Sequence, residues 1–187
     1  MTSMAASRKE SQNGSASQAL SSFELAERER RKGRIERLNG IADYRAQEVH
    51  RYYAEQVQRL VRTLVTPGSK VLEVGCGLGD LLATCGAGSA IGIDISPRMI
   101  ELAKQRHPDL DLRVADVERD PLPQGPFDAI ILSDVIGLLE DIQVAFERLR
   151  SLLAPRGRII VTYYNFLWEP IVKAAERLGH KTKWPDQ

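Results

Sequence analysis

Three glycines, Gly75, Gly77 and Gly79, alternate with other residues directly after a short apolar stretch that contains the acid Glu73. The apolar stretch, residues 71–74, has β-branched side chains and a glycine at its far end, which predicts a buried strand. Glycines let the backbone turn tightly and approach a ligand where a Cβ would collide. Because Leu81 opens a predicted helix, the segment indicates a nucleotide site at the carboxyl edge of an open α/β sheet.

The spacing of the glycines separates the candidate ligands. The dinucleotide fingerprint is G-x-G-x-x-G, whereas this segment reads G-x-G-x-G and continues with Asp80. A phosphate-binding P-loop needs Lys and Ser or Thr after its glycines, and none follows here. The pattern therefore excludes a P-loop and argues against a dinucleotide.

Further acids stand at the ends of two later predicted strands. Asp94 ends the second strand, the usual place for a carboxylate that accepts hydrogen bonds from ribose hydroxyls. Ser96 and Pro97 then predict a helix start, with Ser96 as N-cap. The third strand, residues 110–115, ends at Asp116.

The remaining elements complete the predicted fold. Residues 127–133 form a fourth strand, residues 142–153 an amphipathic helix, and residues 158–163 a fifth strand. This order predicts an α/β fold with a doubly wound, Rossmann-like and mainly parallel sheet.

Together these motifs resemble the class I S-adenosylmethionine-dependent methyltransferases, whose first motif is E/D-x-G-x-G-x-G. The resemblance implies S-adenosyl-L-methionine as cofactor and a sheet with the strand order 3-2-1-4-5. It places Glu73 and Asp80 near the methionine end, Asp94 on the ribose, Ile95 on the adenine face, and Asp116 and Val117 on the adenine edge. The complete implied cofactor set is Glu73, Gly75, Cys76, Gly77, Gly79, Asp80, Asp94, Ile95, Asp116, Val117 and Ser133.

A narrower resemblance comes from residues 50–53, 131–134 and 163–170, which are similar to a bacterial group often fused to a family 2 glycosyltransferase. The family sheet ordinarily gains strands 6 and 7 after the predicted helix 169–178. Few residues follow Gly179, so we expect these strands to be lacking and the chain to be shortened. The fifth strand would then be an exposed edge, which predicts self-association.

The resemblance also indicates what the residues must do. A sulfonium methyl is already activated, so the site must hold a nucleophile in line and exclude water, with no covalent nucleophile. For a hydroxyl acceptor, the candidate bases are His50, Asp134 and Glu169. Candidate acceptor contacts are Tyr53, Tyr163, Tyr164, Asn165 and Trp168.

Composition limits the partners and the organisation. The 187 residues carry 26 basic and 25 acidic side chains, a net charge of +1 that selects neither nucleic acid nor membrane. Two cysteines and the absence of an apolar leader predict a cytoplasmic protein. The sequence contains no cluster of Cys and His residues of the kind that binds a metal. We expect a disordered tail at 1–21, N-terminal helices at 22–66 that cap the site (23–38 and 44–64), and the cofactor-binding domain at 67–187.

Two rival functions remain open at this level. The first is a catalytically inactive module or fragment that binds S-adenosylmethionine without turnover. The second is an NAD-dependent oxidoreductase, against which Glu73 and Asp80 argue. The acceptor is expected to be a small molecule, and methylation at O, N or C stays unresolved.

Overall fold

The computed structural model of the protein describes residues 21–47 and 51–163. The chain divides into two compact units, residues 1–34 and 35–187. In the first unit, the Ser21 backbone N–H donates to Glu24 Oε2 at 2.7 Å and the Glu24 N–H donates to Ser21 Oγ at 3.2 Å. This reciprocal pair is a capping box that starts the first helix. The predicted tail falls almost entirely on residues 1–20, outside the described residues.

The described elements follow one another as helices and strands of ordinary length. They are α1 (Ser22–Gln47), α2 (Arg51–Leu64), β1 (Lys70–Val74), α3 (Asp80–Thr84), β2 (Ser89–Asp94), α4 (Pro97–Arg106), β3 (Asp111–Val114), β4 (Phe127–Ser133), α5 (Ile142–Arg150) and β5 (Leu153–Thr162). A short 3₁₀ turn, Ile136–Leu138, lies between β4 and α5. No helix in this part of the chain is long and apolar enough to span a membrane.

The five strands form one parallel sheet in the order β3-β2-β1-β4-β5. This confirms the predicted fold class and strand order. The central strand β1 pairs with β2 on one side and β4 on the other, so that Glu73 lies opposite both Gly92 and Ile131. The strand order reverses at β1, and ligands of open α/β sheets bind beyond the carboxyl ends of the strands at such a point.

Both faces of the sheet are covered, which is why β1 and β4 carry apolar side chains on both faces. Val71 packs with Val61 of α2 on one face, whereas Leu72 packs with Leu149 of α5 on the other, and these four side chains are fully buried. The alternation of the strand side chains thus divides the apolar core into two layers.

The N-terminal helices differ from the prediction. α1 continues to Gln47, through residues that were predicted to connect helices 23–38 and 44–64. The Asn39 Oδ1 atom accepts a hydrogen bond from Ser96 Oγ at 2.6 Å, and Asp43 pairs with Arg98 at 2.6 Å. These contacts hold the last turns of α1 against the start of α4. Local sequence does not carry such long-range contacts, so the prediction ended the helix too early.

The boundary between α5 and β5 also differs. α5 ends at Arg150, and β5 begins at Leu153 instead of residue 158. Phe127 of β4 pairs with Leu153 while Ala129 pairs with Arg158, so β5 contains an irregularity between these two pairs. Pro155 and Gly157 lie inside this irregular part of an edge strand, where a proline is tolerated.

We predict opposite effects on stability for two glycine-to-alanine changes. A Cβ at Gly92 would lie 2.7 Å from Leu112 Cδ2 and 2.9 Å from Cys76 Sγ, so Gly92→Ala should lower the free energy of unfolding by about 1–3 kcal/mol. A Cβ at Gly40, in α1, would have no neighbouring atom within 4 Å. Gly40→Ala should therefore raise the free energy of unfolding by about 0.5–1 kcal/mol. Urea unfolding measures both. Equal effects of the two changes would contradict the packing described around Gly92.

Self-association through β5 stays a prediction. β5 is an edge strand, no described strand pairs with its outer side, and 41% of Val161 is exposed. Val161→Lys should raise the concentration at which dimers form by roughly tenfold, because a lysine opposes edge pairing. Light scattering over a concentration series tests this. A wild-type chain that stays monomeric at high concentration would contradict it.

Candidate functional site

The loop between β1 and α3, residues 75–79, is termed the glycine loop. Gly75, Gly77 and Gly79 have φ of 69°, 52° and 79°, in the left-handed region that glycine adopts at little cost. The N–H groups of Gly75 and Cys76 donate to the Ile93 carbonyl oxygen at 2.7 and 3.0 Å. The glycines are therefore needed for a turn that the end of β2 holds in place.

Gly75 is also where the backbone approaches another element most closely. A Cβ at this position would overlap the Cγ2 methyl of Val135, which follows β4. The contact joins the start of the glycine loop to the carboxyl end of β4. The sequence predicted close approach to a ligand at these glycines, and at Gly75 the chain itself fills the space.

Asp94 ties the glycine loop to α4. Its side chain is buried, its Oδ2 accepts the Gly77 N–H at 3.0 Å, and its Oδ1 accepts the Ser96 N–H at 2.8 Å. Ser96 Oγ in turn accepts the Met99 N–H at 3.1 Å, which confirms Ser96 as the N-cap of α4. A carboxylate only accepts hydrogen bonds, which is the role that the resemblance implies for Asp94 towards ribose hydroxyls.

Glu73 is a buried acid whose side chain is only 3% exposed. Its Oε2 has no hydrogen-bond partner among the described residues. Burial raises the pKa of Glu73 well above its usual range, the negative charge of Asp94 raises it further, and the Leu82 backbone N–H opposes the shift. A buried acid next to a second acid is a site that a cation would stabilise.

Cys76 shares this environment. Burial, Glu73 and Asp94 raise the pKa of its thiol well above the usual range. The thiol is therefore protonated at neutral pH and is not an activated nucleophile. Cys76 and Cys85 are both free and buried.

Asp80 opens α3 and points towards the end of α4. Its Oδ1 lies 2.8 Å from His107 Nε2, and its Oδ2 accepts Arg106 Nη1 at 2.9 Å. The Gln58 side chain of α2 donates to the Asp80 carbonyl oxygen at 3.5 Å. Both carboxylate oxygens have protein partners, so the cofactor contact implied for Asp80 stays a prediction.

Asp116 and Val117 follow β3, beside the end of β2. The Ala115 N–H donates to the Asp94 carbonyl oxygen at 2.9 Å, which places Asp116 next to the Asp94 segment. Asp116 is 2% exposed, and its Oδ1 accepts the Glu118 N–H at 3.0 Å. The Val117 side chain is buried in the core, which leaves its backbone for polar contacts, and Ile95 is half-buried.

The end of β4 forms the other side of the site. Ser133 Oγ accepts a hydrogen bond from Thr162 Oγ1 at 2.9 Å, and the Tyr53 hydroxyl lies 2.9 Å from both carboxylate oxygens of Asp134. The Tyr163 hydroxyl lies 3.1 Å from the position of a Cβ on Gly137, at the same edge. The structure thus brings together Ser133, Asp134, Tyr53 and Tyr163 from three segments.

Several predicted residues lie outside the described residues. These are His50, Tyr164, Asn165, Trp168 and Glu169, together with the helix predicted at 169–178. Within the described ranges, no group of three or more His, Cys, Asp or Glu side chains is placed to hold a metal ion.

Sequence reasoning missed three contacts of this site: Val135 against Gly75, Asn39 against Ser96, and Arg106 with His107 around Asp80. In each case the partners belong to segments that are distant along the chain. The sequence offered one local indication of the third contact, because Arg106 and His107 are adjacent basic residues. Their position at the end of a predicted helix indicated only where that helix ends.

We predict that the stability of the ligand-free chain depends on the ionisation of Glu73. The folded-state pKa of Glu73 lies above the ordinary value of 4.5. The stability that the protonated form contributes is therefore fully present below pH 4.5. This stability is lost as the pH rises through the raised pKa. Glu73→Gln should therefore raise the free energy of unfolding by about 1–2 kcal/mol at pH 8 and by less at pH 5.

Urea unfolding at several pH values measures this difference. The matched control is Glu147→Gln on the exposed face of α5, for which the difference from wild type should not change with pH. A Glu73→Gln chain that loses stability at every pH would contradict the electrostatic cost assigned to Glu73.

The chain is similar to known methyltransferases in both sequence and fold. A family described as a methyltransferase domain matches residues 44–187. The ubiquinone/menaquinone biosynthesis C-methyltransferase UbiE of Burkholderia multivorans is 29% identical over 63% of this chain and 52% of its own length. The ubiquinone biosynthesis O-methyltransferase of Bradyrhizobium diazoefficiens is 29% identical over 82% of this chain and 63% of its own. Phosphoethanolamine N-methyltransferase 3 of Arabidopsis thaliana is 34% identical over 52% of this chain and 21% of its own.

Solved structures give the same result. CalS10 from Micromonospora echinaspora, an amino pentose methyltransferase with S-adenosylmethionine bound, has 26% identity and a TM-score of 0.53 over 67% of this chain and 56% of its own. A TehB-like S-adenosylmethionine-dependent methyltransferase from Corynebacterium glutamicum has 25% identity and a TM-score of 0.53 over 80% of this chain and 82% of its own. The chain spans about half the length of the first curated relative. On the family match and the strand order, the chain belongs to the class I S-adenosylmethionine-dependent methyltransferases.

Proposed function

We propose that the chain binds S-adenosylmethionine at the carboxyl edge of β1 and transfers its methyl group to a small-molecule acceptor. The observation that carries the proposal is the buried Glu73 Oε2 atom beside the glycine loop, which has no hydrogen-bond partner among the described residues and lies close to the negative charge of Asp94. The cofactor carries an ammonium and a sulfonium, and a cation is the partner that this buried negative charge favours.

The described residues fit the rest of the cofactor in the order that the family motif implies. Asp94 is anchored by Gly77 and Ser96, and its carboxylate is the proposed acceptor of hydrogen bonds from the ribose hydroxyls. Asp116 and the Val117 backbone lie one strand further out, where the adenine would be bound, and Ile95 would cover its face. Gly75, Cys76, Gly79 and Ser133 complete the proposed contacts, together with Asp80 through its backbone.

The bound cofactor supplies an activated methyl group, and the chain's own residues orient the acceptor and exclude water. Asp134 precedes Val135, which contacts the start of the glycine loop, and Asp134 is the described candidate for removing an acceptor proton. His50 and Glu169 are proposed for the same task. Tyr53 and Tyr163 are proposed acceptor contacts among the described residues, and Tyr164, Asn165 and Trp168 are proposed beyond them.

The acceptor atom stays open in this proposal. The relatives are named as C-, O- and N-methyltransferases, so kinship does not select among the three atoms. The net charge of +1 does not favour nucleic acid, and two buried free cysteines suit a reducing compartment. We therefore propose a small acceptor and a cytoplasmic location.

A second candidate is a module that binds the cofactor without turnover. The chain spans about half the length of the first curated relative, so turnover by the chain is a proposal separate from cofactor binding. In this family the acceptor pocket is built partly outside the cofactor loops, so cofactor binding and turnover can be separated by experiment.

We predict that the purified chain binds S-adenosylhomocysteine with a micromolar dissociation constant, about −8 kcal/mol, in isothermal titration. Asp94→Ala and Glu73→Gln should each weaken binding by about tenfold or more, because each removes a buried carboxylate that contacts the ligand. Asp111→Ala is the matched control, since this exposed carboxylate on β3 pairs with Arg113.

Glu73→Gln gives the sharpest outcome of this set. It should stabilise the ligand-free chain and weaken the ligand complex, and a variant that is merely misfolded cannot do both. Tight binding of NAD without binding of S-adenosylhomocysteine would contradict the proposal. The chain could instead bind S-adenosylhomocysteine but form none of it from S-adenosylmethionine when phenol, amine and quinol acceptors are supplied. That result would favour the inactive module.

A further inference from the structure

One buried acid joins two separate segments at the carboxyl edge of the sheet. The Glu118 side chain is only 3% exposed, and its Oε1 atom accepts the backbone N–H groups of Glu140 at 2.9 Å and Asp141 at 2.6 Å. These two residues directly precede α5, and Asp141 is its N-cap, since Asp141 Oδ1 accepts the Val144 N–H at 3.0 Å. A carboxylate suits this place because hydrogen bonds to an acid are strong and a helix start favours negative charge.

The chain passes the ends of two strands to reach this contact. The segment between β4 and α5, residues 134–141, begins beside β1, where Val135 contacts Gly75. It ends at Glu118, which follows β3, and the sheet order places β1 and β2 between β4 and β3. Residues 134–141 therefore extend past the carboxyl ends of β1 and β2, and Glu118 holds their far end.

The turn that carries Glu118 is also bonded within itself. We call residues 116–120 the adenine turn, because Asp116 and Val117 are the proposed contacts of the adenine edge. The Asp116 N–H donates to Asp120 Oδ2 at 2.9 Å, and Asp116 Oδ1 accepts the Glu118 N–H at 3.0 Å. Because the Asp116 side chain is bonded to the Glu118 backbone, a displacement of Glu118 also displaces the Asp116 carboxylate.

Two arginines add links between the adenine turn and the region of α5. Arg119 Nη2 donates to Glu140 Oε2 at 2.6 Å, and the Arg148 side chain of α5 donates to the Asp120 carbonyl oxygen. The Arg119 and Glu140 side chains are 28% and 24% exposed, whereas Glu118 is almost fully buried. Hydrogen bonds are stronger where water is excluded, so the bonds of Glu118 hold the adenine turn more firmly than the Arg119 pair does.

We propose that Glu118 is a positioning residue for recognition of the purine base. By fastening the adenine turn to the backbone of residues 140 and 141, it keeps the Asp116 carboxylate and the Val117 N–H in fixed places. The site then rejects a 6-oxo purine in favour of a 6-amino purine. The inference rests on the proposed function, which assigns the adenine of the cofactor to this turn.

The physical reason lies in the hydrogen-bonding edge of the base. A 6-oxo purine has an oxygen in place of the 6-amino group and a proton on the adjacent ring nitrogen. It would present an acceptor to the Asp116 carboxylate and a donor to the Val117 N–H, so that both pairs would be mismatched. A turn that is held in place cannot retreat from this mismatch, whereas a loosened turn can. Discrimination between the bases therefore depends on the anchoring of the turn.

The test compares two ligands by isothermal titration, S-adenosylhomocysteine and its 6-oxo analogue S-inosylhomocysteine. The wild-type chain should bind the 6-amino ligand about thirtyfold more tightly, as expected when a hydrogen bond is replaced by an unpaired buried group. Glu118→Ala should lower this preference to about threefold, because the loosened turn tolerates the mismatch. The preference is a ratio measured on one preparation, so a loss of folded chain affects both ligands equally.

Two further variants separate the anchoring role from an effect of charge. Glu118→Gln keeps an oxygen acceptor at the same reach without the charge, and its preference should stay within about twofold of wild type. Glu118→Asp keeps the charge but is one methylene shorter, and it should lower the preference as Glu118→Ala does. An effect of charge alone would give the opposite order. This pair also carries the test if Glu118→Ala does not fold.

Asp128→Ala is the matched control. This exposed carboxylate also accepts a backbone N–H from another element, that of Lys70 at 2.8 Å. Lys70 begins β1 and Asp128 lies near the start of β4, so the contact is at the opposite edge of the sheet. Its removal should leave the preference for the 6-amino ligand at the wild-type value.

The outcomes distinguish this inference from the proposed function. A wild-type preference that Glu118→Ala and Glu118→Asp leave unchanged, or that Glu118→Gln lowers as much as Glu118→Asp, would overturn the inference and keep the cofactor site. Equal binding of both ligands by the wild-type chain would do the same. Binding of neither ligand would overturn the proposed function and this inference with it.

Amide hydrogen exchange tests the anchor without any ligand. The amides of Glu140 and Asp141 should exchange faster in Glu118→Asp than in wild type or Glu118→Gln, because they lose their acceptor. Exchange at these two amides that is the same in all three chains would overturn the role assigned to Glu118, whichever ligand binds.

Discussion

The Asp94 carboxylate accepts one backbone N–H from the glycine loop and another from the start of α4, and the arrangement of the site depends on these two bonds. Hydrogen bonds to an ionised acceptor are about twice as strong as neutral ones, and this acceptor is buried. The same segment is tied to α1, because Ser96 Oγ donates to Asn39, and to β3, through the Ala115 N–H. One side chain thus links the parts of the chain that would surround a nucleoside.

The charge that organises the site also destabilises it. Glu73 and Asp94 are both buried, and Glu73 keeps an oxygen without a partner among the described residues. A fold optimised for stability alone would replace this acid, since an unpaired buried charge costs free energy. A ligand that carries a cation would offset this cost when it binds. The same buried charge would then lower the stability of the empty site and raise the affinity for the ligand. Sites that trade stability for function in this way are common.

The local signals in the sequence predicted the elements that depend on local physics. Short apolar runs between glycines predicted the strands, and Ser96 followed by Pro97 predicted the start of α4. The parallel sheet followed from the alternation of strands and helices, since parallel strands need helical crossovers, whereas the strand order came from the family resemblance. The errors lie where distant contacts decide. α1 runs to Gln47 because Asn39 and Asp43 have partners on α4, and β5 begins at Leu153 because the start of β4 offers it a pairing edge.

The sequence by itself determined which residues meet at the carboxyl edge of the sheet, because glycines and acids that end parallel strands must lie at one edge. It thereby determined the family and the identity of Glu73, Asp94 and Asp116 as candidates. Only the tertiary structure decided what each polar atom contacts. It paired the Asp80 carboxylate with Arg106 and His107, and it packed Val135 against Gly75. It also joined Tyr53 to Asp134 and gave Glu73 Oε2 no hydrogen-bond partner within the described part of the chain. The physical reason is that hydrogen bonds and charge pairs act over a few ångströms, and the fold brings these partners together from distant parts of the chain.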